Sequence, residues 1–265
     1  MNVELLREKF AAMGARLVLA EAGARGRGRA GLDIKTDSRG EFFDIRVNPD
    51  EAVEYEVVDL RAEMQHLLLM SRQGEEKEKF LCGHDERHWF VCAVPGASVS
   101  SVTDAMAALQ PPEVRRAVAR QLKRAKNRFR RRNEAFVRQG EWFFIPVRDR
   151  RPFAPRLILR NEPLSRGGGS KPHVCEELAR NGGELVYVCA QRPNGVTAAQ
   201  YRKLLDGNAK ARGWNWRAMR RDMSVFVRGR VRHADHKTVV LRGWHRVVMN
   251  TEREAPAMRH VVFLD

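Results

Sequence analysis

The chain has 265 residues, 43% of them hydrophobic, so it can bury a sizeable core and is not a disordered polymer. Its formal net charge of +16 is uneven, because residues 1–111 carry 14 basic and 19 acidic side chains whereas residues 112–265 carry 35 and 14. A charge of this kind indicates a polyanionic partner, nucleic acid ahead of an anionic membrane, and says little about the fold.

The apolar segments of the sequence bear on membrane insertion, on targeting and on the state of the cysteines. None approaches the roughly 18 apolar residues of a membrane-spanning helix, and the N-terminal stretch lacks the apolar centre of a signal peptide. The four cysteines lie in or beside apolar segments. We therefore expect reduced, buried thiols, a cytoplasmic location and no membrane partner.

The first 110 residues are expected to be rich in β-sheet. A Gly/Arg loop at residues 23–31 is a candidate for contact with nucleic acid, since glycine leaves its three arginines free to follow a phosphate chain. Turn residues between alternating apolar runs predict hairpins at Ser38-Arg39-Gly40 and at residues 84–88. The remaining elements are predicted as helices over 2–13 and from Ser98 or Ser100 to Leu109, and strands over 15–20, 53–58 and 66–70.

Residues 112–138 are predicted to form one long basic helix. Apolar side chains recur at helical spacing from Val114 to Phe136, and the segment has eleven Lys/Arg against two Glu. So many like charges without interspersed acids favour an external polyanion over simple solvation. The side chains expected to bind nucleic acid here are those of Arg115, Arg116, Arg120, Lys123, Arg124, Lys126, Arg128, Arg130 and Arg131.

The glycine-rich stretch from Arg166 to His173 is interpreted as an anion-binding loop. Ser170 is predicted to cap a helix over residues 174–180, whose free N–H groups and dipole would favour a phosphate. The sequence is not a Walker A loop, and a plain glycine-rich connection is the alternative. The residues assigned to phosphate are Arg166, Gly168, Gly169, Ser170 and Lys171.

Further elements are predicted along the C-terminal half. Asn-Gly-Gly ends the helix over 174–180, and Thr197 caps a helix through Leu205. Strands are predicted over 141–147, 156–160, 184–190 and 260–264.

Residues 223–249 are predicted to form a hairpin with a three-residue loop at residues 234–236. That register pairs Val231 with Val239 and Gly229 with Leu241, and it gathers the valines on one face. The opposite face combines arginine with Trp244 and Phe226, a mixture that binds single-stranded nucleic acid unless the aromatic rings pack against another element. The candidate contacts are Arg228, Arg230, Arg232, Arg242, Trp244 and Arg246.

Two histidine-containing turns are candidates for chemistry. His233, Asp235 and His236, assisted by His173 or His245, have the groups for a metal site or for a general base acting on a phosphodiester. A second set of candidate metal ligands surrounds the earlier turn, although its spacing fits no standard zinc motif. That set is Cys82, His84, His88 and Cys92. A hydrogen-bonded polar turn explains both sequences as well, so no cofactor is assigned and a divalent metal is kept as an alternative.

Together these features predict an α+β fold with antiparallel hairpins and a long basic helix in mid-chain. A near-neutral region at residues 1–110 and a basic region at 111–265 would form two units or one continuous domain. The primary functional prediction is nucleic-acid binding without catalysis, with RNA or single-stranded DNA favoured over duplex. The alternatives are a metal-dependent nuclease or phosphodiesterase, and an RNA-facing subunit of a larger ribonucleoprotein or defence complex whose N-terminal region holds a protein partner.

Overall fold

The computed structural model describes residues 2–21, 31–47, 52–96, 98–122, 124–147, 153–166 and 170–252, and over these ranges the protein is mostly β-sheet. The helices are α1 (Val3–Ala12), α2 (Val102–Ala108), α3 (Pro112–Gln121) and α4 (Ala198–Gly207). The strands are β1 (Leu17–Glu21), β2 (Gly31–Asp37), β3 (Gly40–Val47), β4 (Val53–Arg61), β5 (His66–Gln73), β6 (Glu76–Asp85), β7 (His88–Ala93), β8 (Val137–Gln139), β9 (Trp142–Pro146), β10 (Ile158–Leu164), β11 (His173–Asn181), β12 (Glu184–Cys189), β13 (Arg192–Thr197), β14 (Arg217–Arg221), β15 (Ser224–Arg232) and β16 (Val239–Met249). The predicted α+β fold with a long helix is therefore wrong. The Gly/Arg loop up to residue 30 and the strand predicted over 260–264 lie outside the described residues.

The first half of the chain packs two sheets against α1. Asn2 caps α1 by accepting a hydrogen bond from a first-turn N–H (3.1 Å), and the helix buries Leu6 and Phe10. Strand β3 pairs with β1 in parallel and with β2 antiparallel, while β4 to β7 form an antiparallel meander in chain order. Side chains from both sheets, including Phe43 and Leu67, complete one core with α1.

Strand β5 is buried on both of its faces. Leu67 and Leu69 belong to the core under α1, whereas Leu68 belongs to a second core covered by α2. The cap of α2 is Ser101, whose hydroxyl accepts from the Asp104 N–H (3.1 Å), and not Ser98 or Ser100. A continuous apolar run such as residues 67–69 is typical of a strand covered on two sides.

Among the described residues of the predicted long helix, only 112–121 are α-helical, and a short 3-10 turn follows at Ala125–Asn127. Helix α3 begins at Pro112, where the missing N–H costs nothing, and it buries Val114 and Ala117. Leu122 already has extended backbone angles (φ −80°, ψ 118°). Beyond it basic side chains repeat at i and i+4, a spacing that destabilises a helix, so the chain leaves the helical path.

Asn133 closes the turn that replaces the rest of that helix. Its side-chain oxygen accepts from the N–H groups of Ala135 (2.9 Å) and Phe136 (3.0 Å), and its side-chain nitrogen donates to the Asn127 carbonyl (3.1 Å). Ala135 and Phe136 thereby return to the core around Val114. The apolar spacing that indicated a helix is satisfied by a folded turn, which Asn favours.

The second half of the chain is built on a six-stranded antiparallel sheet in the order β10-β11-β15-β16-β9-β8. The predicted register of the β15–β16 hairpin is confirmed near its tip, where Val231 faces Val239 and Gly229 faces Leu241. Between Gly229 and Val227, farther from the tip, the pairing shifts by two residues. Val227 therefore faces His245 instead of Gly243. The valine face is buried, as predicted.

The predicted helix over residues 174–180 is wrong, because these residues lie in β11. The pairing of β11 with β15 shifts between Cys175 and Glu177, opposite Gly229. Consequently Cys175, Leu178 and Ala179 are the buried side chains, and their spacing imitates the i, i+3, i+4 pattern of a helix.

A small three-stranded sheet, β13-β12-β14, is inserted between β11 and β15 and carries α4. Thr197 caps α4 with a full capping box, as the sequence predicts at this residue. Tyr187 of β12 stacks on Tyr201 of α4 with ring centroids 4.0 Å apart, which fixes the helix on the sheet.

Contacts join the two halves of the chain. The Thr251 hydroxyl donates to the Ala108 carbonyl (2.6 Å), and the Ala93 N–H donates to Glu252 (3.2 Å). Arg138 donates to Asp85 in the β6–β7 turn (3.1 Å). Over the described residues, no helix is long and apolar enough to cross a membrane.

Candidate functional site

A cavity of about 520 Å³ lies where the N-terminal meander meets the six-stranded sheet. Its wall includes the β6–β7 turn, the end of α2, the turn between β8 and β9, and the loop between β15 and β16. A volume of this size is typical of small-ligand pockets, which measure roughly 300–1,000 Å³. The cavity is therefore the natural place to look for chemistry.

Three histidines meet beside this cavity. The ring centroids of His173 and His233 are 4.2 Å apart, those of His233 and His236 4.7 Å, and those of His173 and His236 5.7 Å. One ligand nitrogen from each histidine lies within 4.8 Å of the others. In the part of the chain that the structure describes, this is the group of His, Cys, Asp or Glu residues with metal-site spacing.

Strand pairing explains why the three histidines meet. Val174 of β11 faces Arg232 of β15, so His173 at the start of β11 lies beside His233 just past the end of β15. His236 follows three residues later in the loop before β16. The sequence pointed to His233 and His236, whereas His173 was expected only to assist.

The three histidines differ in their polar contacts. His173 Nδ1 hydrogen-bonds the buried Gln139 side chain (3.1 Å), and its Nε2 atom lies 3.7 Å from the Glu141 carboxylate. The Asp235 N–H donates to His233 Nδ1 (3.1 Å), so His233 Nε2 donates to the Lys171 carbonyl (3.2 Å). His236 differs from both, because its Nδ1 atom is buried and has no hydrogen-bond partner. A buried polar atom without a partner is unusual and marks His236 as a residue that a ligand would complete.

The close packing keeps His233 and His236 neutral. Burial and the neighbouring imidazoles of His233 and His173 lower the pKa of His236 to about 4. Burial first, and then His173, lower the pKa of His233. Since both values lie below the ordinary 6.5, both rings are unprotonated at neutral pH and each offers a lone pair.

Gly140 allows the β8–β9 turn to approach the cluster. Its φ of +55° favours glycine, and a Cβ atom there would lie 2.8 Å from His236 Nε2 and 3.5 Å from His173 Cε1. The next residue, Glu141, has a carboxylate oxygen 3.7 Å from His173 Nε2. Burial opposes ionisation of Glu141, but the hydrogen bond with His173, a backbone hydrogen bond and the nearby charges together outweigh burial and lower the pKa of Glu141. Glycine is thus needed here for both conformation and space.

The β6–β7 turn supports the cluster from the other half of the chain. Glu86, with a φ of +57°, accepts a hydrogen bond from the Lys237 N–H (2.6 Å) and pairs with Arg131. The Glu86 carboxylate also lies 3.9 Å from His236 Nδ1. Asp85 holds Arg131 and Arg138. The residues of this turn therefore fix the loop that carries His236.

The structure does not bring Cys82, His84, His88 and Cys92 together. On paired strands β6 and β7, Cys82 faces Val91 and Asp85 faces His88. Since side chains alternate along a strand, Cys82 and His84 project from one face of the sheet and His88 and Cys92 from the other. Burial raises the pKa of Cys82 and of Cys92, so both remain thiols.

The predicted phosphate loop is partly present at the cavity. Arg166, Ser170 and Lys171 line its wall, whereas Gly168 and Gly169 lie outside the described residues. The expected helix N-terminus is absent, because β11 begins at His173. Arg166 donates to Glu252 (3.3 Å), whose pKa burial raises, and Lys171 donates to Asp235 (3.1 Å). Both cationic side chains thus line the cavity, and each is paired with a carboxylate.

The aromatic side chains of the hairpin are not available to stack with bases. Trp244 and Phe226 are buried, and both pack against Phe153. Of the two explanations offered by the sequence, packing against another element is the correct one. His245 is also buried in this sheet and its Nδ1 hydrogen-bonds the Gly243 carbonyl (3.0 Å), away from the histidine cluster.

The arginines of the hairpin find their counterions within the protein. Arg228 pairs with Glu177 (2.5 Å), Arg230 with Glu176 (3.1 Å) and Arg246 with Glu113 (3.6 Å). Arg232 donates to the Asn161 side chain (3.0 Å), and Arg242 is exposed. Glutamates of β11 and α3 thus supply most of the negative charge that the sequence argument had assigned to an external strand.

The side chains of residues 115–131 that were predicted to bind nucleic acid do not lie along one helix face, because the α-helix ends at Gln121. Exposed side chains lie on α3 and on the segment after it, whereas Arg131 is held by Asp85 and Glu86. Lys123 lies outside the described residues. The exposed members are Arg115, Arg116, Arg120, Arg124, Lys126, Arg128 and Arg130.

Comparison of the chain with protein-family models, with curated proteins and with solved structures finds no match in any of the three.

Proposed function

We propose that this protein is a divalent-metal-dependent hydrolase of phosphodiester bonds, with the ion held by His173, His233 and His236. The grouping of these three imidazoles beside a cavity is the observation that carries the proposal. Three neutral histidines are a ligand set of catalytic zinc sites, in which the fourth position is left to water or substrate.

The ligands need a small rearrangement to share one ion. Around an ion with bonds of about 2.1 Å, ligand nitrogens lie closer together than the present spread of up to 4.8 Å, so the rings must rotate inward. His173 Nε2 would exchange its contact with Glu141 for the metal bond, and His236 Nδ1 has no hydrogen bond to lose. His233 would exchange one of its two hydrogen bonds for the metal bond.

The cavity supplies the other groups that phosphodiester hydrolysis needs. A divalent ion held by the three histidines would supply a water of lowered pKa, and so hydroxide, at neutral pH. Hydrolysis would consume one water, with a new bond from its oxygen to phosphorus, loss of the bond from phosphorus to the leaving oxygen, and transfer of a proton to that oxygen. Lys171 and Arg166 line the same wall and are suited to hold the phosphate oxygens.

Metal content and turnover test this proposal together. Protein stripped with EDTA is expected to bind one Zn²⁺ or Mn²⁺ per chain and to gain hydrolysis of bis(4-nitrophenyl) phosphate. His236→Ala is expected to lose both, whereas His84→Gln should keep both, because His84 lies in the other histidine turn and outside the cluster. Hydrolysis that persists in EDTA, or a stripped protein that takes up no ion, would refute it.

The biological substrate and place of action extend the same proposal. A polynucleotide is the phosphodiester that fits a chain with a net charge of +16. The proposal places the protein in the cytoplasm, and the four free cysteines support a reducing compartment.

A further inference from the structure

One basic segment of the protein keeps its charge unpaired. Residues 124–132 contain six basic side chains and no acidic one. Arg131 pairs with Asp85 and Glu86, and Arg132 donates to the Val240 carbonyl (3.1 Å). Four other basic side chains of the segment are exposed and make no ion pair with a carboxylate of the described residues. They are Arg124, Lys126, Arg128 and Arg130.

This segment forms part of the rim of the cavity. Phe129 lines the cavity wall, and the Arg128 guanidinium lies over its ring, 4.6 Å from the centroid. Gln110, another wall residue, donates to the Arg128 carbonyl (3.0 Å) and holds the backbone in place. The unpaired charges therefore flank an aromatic residue of the cavity wall, in contrast to the hairpin, where glutamates neutralise most of the arginines.

We infer that the segment 124–132 binds a single-stranded polynucleotide and guides it into the cavity. Arg124, Lys126 and Arg130 contact successive phosphates, and the stacked pair of Phe129 and Arg128 receives one base. A cavity of about 520 Å³ admits an unstacked nucleotide and no duplex, which selects the single strand. Cleavage of the strand rests on the proposed function, whereas binding to it does not.

The test is binding in EDTA, so that no metal is involved. Anisotropy of fluorescein-labelled 20-nucleotide RNA and DNA is measured over a range of KCl concentrations with wild type and with the triple variant Arg124→Ala/Arg128→Ala/Arg130→Ala. The matched control removes the same charge from the α4 region, through Arg202→Ala/Lys203→Ala/Lys210→Ala, which are likewise exposed.

The rim variant is expected to weaken binding at least tenfold at low salt and to flatten the plot of log affinity against log salt by about 1.4, since it removes the phosphate contacts of Arg124 and Arg130 and each contributes about 0.7. The control should stay within about threefold of wild type, as unspecific attraction depends on net charge alone. Equal losses in the two variants, tighter binding of duplex than of either strand, or equal competition by polyglutamate would overturn the inference.

A second variant isolates the aromatic contact. Phe129→Ala is expected to weaken binding of a normal strand about fivefold or more, since a stacked base contributes roughly 1–3 kcal/mol, and to leave an abasic strand unchanged. Equal effects on the two strands would remove Phe129 from the inference. A protein that binds the strand but no metal would fail the proposed function alone, and a protein that binds metal but no strand would fail this inference alone.

Discussion

Two turns of this protein have similar amino-acid compositions but different structural roles. The β6–β7 turn spans His84 to His88 and the β15–β16 loop spans His233 to His236, each with two histidines and at least one carboxylate. Only the second contributes to the histidine cluster. In the first, the carboxylates pair with Arg131 and Arg138, and Glu86 also accepts from the backbone N–H of Lys237 in the second loop.

The two turns differ in the residues that surround them in the folded protein. His84 packs on Trp89 across its own hairpin, and His88 contacts Glu41 (2.6 Å). His233, by contrast, is brought against His173 by the pairing of two strands that are distant in sequence. Spacing along the chain thus says little about a metal site until the strand partners are known.

The largest effect is expected from exchanging the carboxylates of the first turn. Glu86→Gln removes the charge that faces His236 and holds Arg131, so metal affinity should fall about 10- to 100-fold, as is usual for residues that orient metal ligands. Asp85→Asn also releases two arginines but contacts no histidine of the cluster. Competition with a chromogenic chelator is expected to separate the two variants, and similar affinities would show that Glu86 acts only through folding.

The second turn should give the protein a stability that depends on pH. The folded pKa of His236, about 4, lies below its unfolded value of 6.5, so between these values the unfolded state binds more protons. Stability from His236 is therefore full above pH 6.5 and is lost as the pH falls towards 4, by on the order of 2–3 kcal/mol.

Urea unfolding of metal-free protein at pH 7.5, 5.5 and 4.5 measures this loss. His236→Gln is the comparison, because glutamine does not titrate and carboxylates contribute equally in both proteins. The difference in unfolding free energy between wild type and variant should shrink as the pH falls. A constant difference would mean that His236 is not held neutral by its surroundings.

A pair of glycines tests how closely the cluster is packed. Gly140 and Gly74 both have φ near +55° (+55° and +58°), so alanine costs each about 1 kcal/mol of backbone strain. At Gly74 nothing lies within 4 Å of the added Cβ, whereas at Gly140 it meets His236. Gly140→Ala should therefore cost about 1–2 kcal/mol more in thermal unfolding and weaken metal binding, and equal costs would argue against a crowded cluster.

The sequence predicted the elements whose signals are local. The hairpin at Gly40, the helix cap at Thr197 and the pairing of Val231 with Val239 depend on residues near one another, and all are confirmed. The apolar face of β15 was also predictable, because the strand period leaves one register that buries its valines.

The wrong predictions come from sequence patterns that fit two different kinds of local structure. Buried residues at 175, 178 and 179 fit a helix as well as a strand with an irregular register, and the stripe from Val114 to Phe136 fits a helix as well as a turn closed by Asn133. His173 was undervalued as a ligand because it is distant in sequence from His233. Likewise, the pairing of Arg228 with Glu177 depends on a strand neighbour that no local pattern reveals.

The smallest effect is expected from the carboxylate of the second turn, which is the counterpart of Glu86. Burial opposes ionisation of Asp235, but the hydrogen bond from Lys171 and the charge interactions with Lys171 and neighbouring histidines together outweigh burial and lower its pKa. The side chains of Asp235 and Lys171 are about half exposed or less. Asp235→Asn should therefore change the unfolding free energy by only about 0.2–1 kcal/mol. It also removes a negative charge from the cavity and frees Lys171, so KM for a phosphodiester should fall about two- to fivefold, whereas Lys171→Ala should raise it. Opposite changes in KM at nearly constant stability would assign Lys171 to phosphate binding, and changes in the same direction would assign the pair a purely structural part in the loop.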